Sequence, residues 1–185
     1  NHKEVVQKLF TILNDKGYLE EQVSRQPYSE ESEMFLSDRY IEGDCPHCPS
    51  RTKGDQCDNC GQDFEPSDLK NLISTIDNSK VTFKETNHIY LKLPEFQENL
   101  NKWINSKSYW RPAVKNQSLG FLSNGLIDRA ITRDIDWGVE VPIKNYEKKR
   151  IYVWFEAVIG YLSASIEWAK SDKNISNNKN IWKEW

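Results

Sequence analysis

The chain has 185 residues, 37% hydrophobic and 12% aromatic with seven tryptophans, so it carries enough apolar side chain for a real core and is not a disordered polymer. Its 25 basic and 28 acidic residues leave a net charge of −3, which gives no electrostatic case for a dedicated nucleic-acid binder. The most apolar stretch, IYVWFEAVIGYL at 151–162, is interrupted by Glu156 and too short to span a bilayer. No basic and apolar targeting run leads the chain, so a soluble, cytoplasmic protein without a membrane partner is expected.

In chain order, HKEVVQKLFTILNDKG at 2–17 predicts a helix with Val5, Leu9 and Leu13 on one face, Phe10 and Ile12 widening it, and Gly17 as the C-terminal cap. Residues 18–44 read as a polar connection broken by Pro27, with only Met34, Phe35 and Leu36 as an apolar anchor. Further on, NHIYLKLP at 87–94 alternates Ile89, Leu91 and Leu93 as a half-buried strand. Pro94 then opens a helix in which Phe96, Leu100, Trp103 and Ile104 share a face. The stretch 108–126 predicts a helix weakened at Gly120, and 129–143 reads as extended chain. The cluster YEKKR at 146–150 is most simply a solvated turn. From Lys149 a β-rich IYVWF passes into helical spacing through Tyr161, Ser165, Trp168 and Ala169. Such strand-to-helix junctions are where α/β enzymes set ligand-binding residues. The closing KSDKNISNNKNIWKEW is polar, a loop or the start of further structure.

All four cysteines, Cys45, Cys48, Cys57 and Cys60, lie in CPHCPSRTKGDQCDNCG at 45–61. A disulfide scaffold spreads its cysteines, whereas two Cys-x-x-Cys hooks eight residues apart offer four thiolates that can close tetrahedrally on one Zn2+. Rubredoxin-like iron and paired redox dithiols share this spacing. Gly43, Pro46, Gly54 and Gly61 are expected to allow the sharp turns of a metal knuckle. His47, between two ligands, reads as a solvated turn histidine, and His88 as a capped or packed residue. Four protein ligands leave no open coordination position, so the ion is structural and the chemistry lies elsewhere.

The blocks FLSDRYIEGDCPHC, GDQCDNCG, NHIYLKLPEF, GLIDRAITRDIDWGVEVP and RIYVWFEAVIGYLSAS, in this order, resemble the methionyl-tRNA synthetase family of class I aminoacyl-tRNA synthetases, over about residues 3–169. The resemblance implies an α/β fold with α+β character in the insert: a zinc-knuckle connective-peptide domain inserted in a partial Rossmann-type nucleotide-binding fold. It divides the chain into 1–16 as the end of the first catalytic half, 17–150 as the insertion with its knuckle at 45–60, and 151–185 as the return to the incomplete catalytic fold. It further implies a parent enzyme that joins methionine to ATP, with Mg2+, and then to tRNA(Met). The family's HIGH-type and KMSKS-type motifs are absent here, so no catalytic residue is assigned, and a monomeric fragment inactive alone is expected.

By the same resemblance the methionine contacts fall on Val153, Trp154, Ala157, Val158 and Tyr161, an apolar slot for a polarizable thioether. Many family members have Asp-Ala-Pro where this chain has Glu156, Ala157 and Val158, a departure inside the slot. Without the resemblance, Trp154 and Tyr161 read as ordinary core aromatics. Arg133 has two readings, a contact to phosphate or to the tRNA acceptor end, and a structural salt bridge to Asp134 or another carboxylate. The alternative function is a free-standing zinc-ribbon module binding nucleic acid or protein. Asp44, Asp55, Asp58 and Asp63 against Arg51 and Lys53 count against its phosphate binding. A spacer that positions the tRNA acceptor end is compatible with the enzyme reading.

Overall fold

The computed structural model describes residues 1–54, 56–62, 64 and 66–171, so most of the polar closing segment lies outside the described residues. Helix α1 spans His2–Asp15. Asn1 caps it, its Oδ1 accepting the Glu4 N–H while Glu4 receives the terminal ammonium. At the other end Gly17, at φ 75°, donates its N–H to Asn14, and Tyr18 donates to Leu13. This paired closure requires a left-handed residue and is why a glycine stands there. The buried face centres on Val6 and Phe10, with Val5 and Leu9 at its margin and Ile12 exposed, a shift from the line the periodicity predicts.

The polar connection expected over 18–44 is instead mostly strand. β1 (Leu19–Ser29) pairs antiparallel along its length with β6 (Val81–Leu91), from Leu19 opposite Leu91 to Ser29 opposite Val81. Pro27 is tolerated because its carbonyl faces the opposite neighbour, β2 (Met34–Phe35), where it accepts the Leu36 N–H. Its missing donor therefore faces that short edge and not the long β6 ladder. With β7 (Arg129–Ala130) the sheet runs β2-β1-β6-β7.

A second sheet, ordered β4-β3-β5, carries the cysteine hooks: β3 (Ile41–Asp44), β4 (Arg51–Lys53) and β5 (Lys70–Ser74). Gly43 serves this sheet and not a turn. A Cβ there would come within 2.7 Å of the Lys70 carbonyl, so only glycine lets β3 lie this close to β5. A third pair joins β8 (Thr132–Arg133) to β9 (Arg150–Ile151). Every described strand pair is antiparallel, so the α+β character expected of the insert runs through the described residues.

Helices α2 (Gln97–Asn105) and α3 (Pro112–Ser123, with Gly120 inside) form as expected, and Pro94 sits in the short 3-10 turn that leads into α2. Helix α4 spans Val153–Lys170, so IYVWF is not a strand; β9 stops at Ile151 and Tyr152 is already the helix N-cap. Its aromatic and β-branched residues favour extended chain locally, but an 18-residue helix buries more apolar surface against α1 and overrides that preference.

Two separate apolar cores result. One joins α1, β6, the 131–151 segment and α4 through Val6, Phe10, Ile89, Ile131, Tyr146 and Ile159. The other, around the hooks, joins Leu36, Ile41, Cys45, Cys57, Phe64 and Leu69. Among the described residues no helix is long and apolar enough to cross a membrane.

Candidate metal centre and the adjoining helix face

Each hook is built the same way. Cys45 donates its N–H to the Ser50 carbonyl, and Cys57 donates to Gln62, each five residues on. Both loops therefore fold back under their cysteine pair and aim two sulfurs at a common point. Gly61, at φ 69°, supplies the left-handed residue of the second loop, and Gly54, at φ 77°, that of the turn leading from β4 toward it.

The four sulfurs lie within 4.8 Å of one another, with Cys45 and Cys60 3.9 Å apart and Cys48 and Cys57 3.7 Å apart. Thiolates about 2.3 Å from one shared tetrahedral ion stand about 3.8 Å apart, whereas a disulfide needs about 2.05 Å. The cluster fits a metal ion and excludes bridged pairs.

Its electrostatics point the same way. Hydrogen bonds from the Ser50 main chain and the Asn59 amide pull the Cys48 thiol down to about 6. The Cys60 main chain likewise lowers Cys57. Cys60 accepts from the Gln62 main chain, yet burial and the three neighbouring sulfurs leave it raised to about 11. Thiolates this close repel, so one holds its proton until a cation replaces it. The His47 side chain takes no part, although its N–H donates to Cys45 Sγ at 3.4 Å. Asn59, a donor inside the second hook, is a residue that sequence reasoning misses; its one signal is an amide placed between two ligands.

The residues assigned to the methionine slot all lie on one side of α4, and that side is open. Trp154 is 68% exposed, Val158 65% and Tyr161 81%, with Val153 and Ala157 also exposed. The opposite side, with Ile159 and Ser163, is buried against this chain. Of the five, Trp154 lines a cavity at the foot of the helix. Its volume is about 360 Å3, between the metal lobe (Phe64, Pro66), the sheet (Tyr90, Ala130) and the start of α4. Glu156, on which the family pattern departs, is half-buried.

Arg133 lines the same cavity. It forms no ion pair among the described residues, so the structural salt bridge is not what holds it. Its guanidinium lies 3.7 Å from the Tyr152 ring centroid, and Nη1 donates to the Ala130 and Thr132 carbonyls at 3.1 and 2.9 Å. The buried Nε has no acceptor among the described residues. Tyr152 in turn donates its hydroxyl to Asp38 at 3.1 Å, linking the start of α4 to the chain just before the first hook.

Asp134, one of the carboxylates that the salt-bridge reading of Arg133 allowed, belongs to another network. It pairs with Lys149, accepts from Thr86 at 3.0 Å and lies 3.2 Å from His88 Nε2. His88 is packed, as expected, with Nδ1 2.9 Å from the Thr132 hydroxyl. Lys149 and the buried Tyr146 show that YEKKR is partly structural and not a wholly solvated turn.

Residues 1–185 match the family described as tRNA synthetases class I (M), and the chain belongs to it. Its similar relatives are methionine–tRNA ligases. That of Dehalococcoides mccartyi is 48% identical over 183 residues, covering 98% of this chain and 33% of the relative. That of Chloroflexus aggregans is 48% identical, covering 100% and 31%. The chain thus spans about a third of the length of the relatives it matches. The fold is also that of Mycobacterium tuberculosis methionyl-tRNA synthetase in complex with methionyl-adenylate, at TM-score 0.57 and 20% identity, over 94% of this chain and 30% of that one.

Proposed function

We propose that this chain is the connective-peptide portion, with one flank of the amino-acid pocket, of a methionine–tRNA ligase. That enzyme would activate methionine with ATP and Mg2+ and pass it to tRNA(Met). The observation that carries the reading is the double-sided apolarity of α4. A helix that buries one face in its own core and leaves Val153, Trp154, Val158 and Tyr161 open is a helix within a larger protein. The remainder of the longer enzyme would close this face into a thioether-sized slot, with Ala157 leaving room between the larger side chains. Domain limits near 17 and 150 follow from the same reading. Arg133, with an unpartnered Nε, would offer its remaining donors to an oxyanion of substrate or tRNA.

The ion would be zinc, held by Cys45, Cys48, Cys57 and Cys60. A closed thiolate set gives it no open position, so it orders the lobe and takes no part in the reaction. The rival zinc-ribbon nucleic-acid module is disfavoured because the cations beside the hooks are already engaged. Arg51 pairs with Glu42 and Asp44, and Lys53 with Glu42.

The test is Trp154→Ala in the full-length enzyme. Methionine-dependent ATP–pyrophosphate exchange should require tenfold or more methionine, about the loss of 1.4 kcal/mol or more of pocket contact. An unaltered methionine requirement would overturn the pocket assignment. Metal analysis should return about one zinc per chain; iron or no metal would overturn that assignment.

A further inference from the structure

Asp38, Tyr152 and Arg133 all line the same cavity and form a chain of contacts along it. In the β8–β9 pair Arg133 stands opposite Arg150, so Tyr152, two residues further on, is its diagonal neighbour. The Tyr152 main chain is fixed there, its N–H donating to the Ile131 carbonyl at 2.9 Å. Its ring lies over the guanidinium, Cζ to centroid 3.7 Å, while Arg133 Nη1 is tied to two main-chain carbonyls. Ring and carbonyls together set the guanidinium plane and leave Nε with no acceptor among the described residues.

The ring itself is half-buried beside open space, and its hydroxyl donates to Asp38 Oδ2 at 3.1 Å. Asp38 opens the 3-10 turn Asp38–Tyr40 that runs straight into β3. Thr75 pins that turn, donating its N–H to the Tyr40 carbonyl at 2.9 Å and its hydroxyl to the Arg39 carbonyl at 3.4 Å. Although it shares the cavity with Arg133, Asp38 forms no ion pair among the described residues; its carboxylate is spent on the phenol.

We propose that Asp38 is a positioning residue: its carboxylate holds the Tyr152 ring, and through that ring it sets the direction in which Arg133 presents its donors to the substrate oxyanion. Cation–π attraction follows the ring face wherever it goes, so a ring free to pivot carries the guanidinium with it. A phenol tethered at its tip cannot pivot, and a misplacement of about 1 Å can cost about a hundredfold in rate. The metal lobe thus reaches the reaction through a side chain and not through its ion. The role rests on the preceding reading of Arg133 as an oxyanion donor in the activation step.

The experiment uses the full-length enzyme with two readouts: methionine-dependent ATP–pyrophosphate exchange, and the Nε–H resonance of Arg133 in protein carrying isotopically labelled arginine, assigned by its loss in Arg133→Lys. Asp38→Ala and Tyr152→Phe each remove the hydroxyl–carboxylate bond. Each should lower kcat about tenfold with the methionine KM within about twofold, because the slot is untouched. Made together they should cost no more than either alone; a fall of about a hundredfold would mean two unconnected effects and overturn the proposal. Asp38→Asn keeps an acceptor in place and should recover kcat to within about threefold. Arg51→Gln breaks two ion pairs of the same lobe away from Tyr152 and should leave kcat unchanged; an equal fall there would also overturn the proposal. The Arg133 resonance should shift in Asp38→Ala and in Tyr152→Phe and stay in place in Asp38→Asn. An unmoved resonance in the first two would refute the positioning role even if kcat fell, and Tyr152→Phe decides alone should Asp38→Ala not fold. A protein with no exchange at all would sink the ligase reading, and the resonance would then decide by itself whether Asp38 orients the guanidinium.

Discussion

His88 is 1% exposed and sits between two polar partners, and the geometry selects its tautomer. With Nε2–H donated to Asp134, Nδ1 accepts the Thr132 hydroxyl proton, and the same hydroxyl oxygen accepts the Ile89 N–H at 3.0 Å. Burial pushes the imidazole below its ordinary value of 6.5, outweighing the pull of Asp134. At Asp134 burial acts upward, but hydrogen bonds from His88 and Lys149 win and hold the carboxyl down at about 2. Both shifts have the same sign for stability. A depressed histidine means that the unfolded chain takes up the proton first, so its contribution is whole above 6.5 and fades as pH falls. The Asp134 contribution is whole above its ordinary 3.8 and fades toward 2. Denaturant melts should therefore weaken from pH 7 to pH 5, and His88→Leu should flatten that dependence. The same change should cost about 1–2 kcal/mol, because the Thr132 hydroxyl proton loses its acceptor and Asp134 loses one of its three donors, keeping Lys149 and Thr86; a flat wild-type profile would refute the neutral assignment. That His88 packs was readable from its place in a strand. Its partners, 44 and 46 residues further on, were not, because only the β6–β8 contact brings them together.

Among the elements, the glycines separate cleanly by what surrounds them. At Gly43 a methyl group meets main chain at 2.7 Å, so Gly43→Ala must spread β3 from β5 and should destabilise by about 2 kcal/mol. At Gly120, inside α3, the same methyl meets nothing within 4 Å, and Gly120→Ala should stabilise by up to about 1 kcal/mol. Equilibrium unfolding of the two variants reads both signs at once. The hydrophobic pattern marked α1 and α2 because each shows a 3.6-residue period, whereas α3, expected as a helix weakened at Gly120, carries little of it. It missed β1, whose residues are largely polar and half-buried. A ribbon strand of that kind is held by its backbone ladder to β6, a partner more than 50 residues away, and leaves little alternation to read.

At the scale of the whole molecule, two cores that share little packing should respond differently to loss of the ion. Thiolate coordination at neutral pH contributes on the order of 10 kcal/mol to a lobe of this size. A chelator should therefore raise amide exchange across Leu36–Val81 while α1 and the buried face of α4 keep their protection. Uniform exchange over both regions would refute the separation, and unchanged exchange in the lobe would refute a structural ion. The Tyr152 to Asp38 hydrogen bond is a direct polar link between the lobe and the start of α4.

The sequence by itself determined the metal hooks, the C-terminal cap of α1 and the family, since ligand spacing, capping and motif order are local properties that need no partner strand. Tertiary structure alone decided that IYVWF turns into a helix at once, that Arg133 stacks on Tyr152 instead of pairing with Asp134, and that Gly43 serves a close strand contact. Each of those outcomes depends on which distant surface competes for the residue, and burial against that surface outweighs the few tenths of a kcal/mol by which local preference differs.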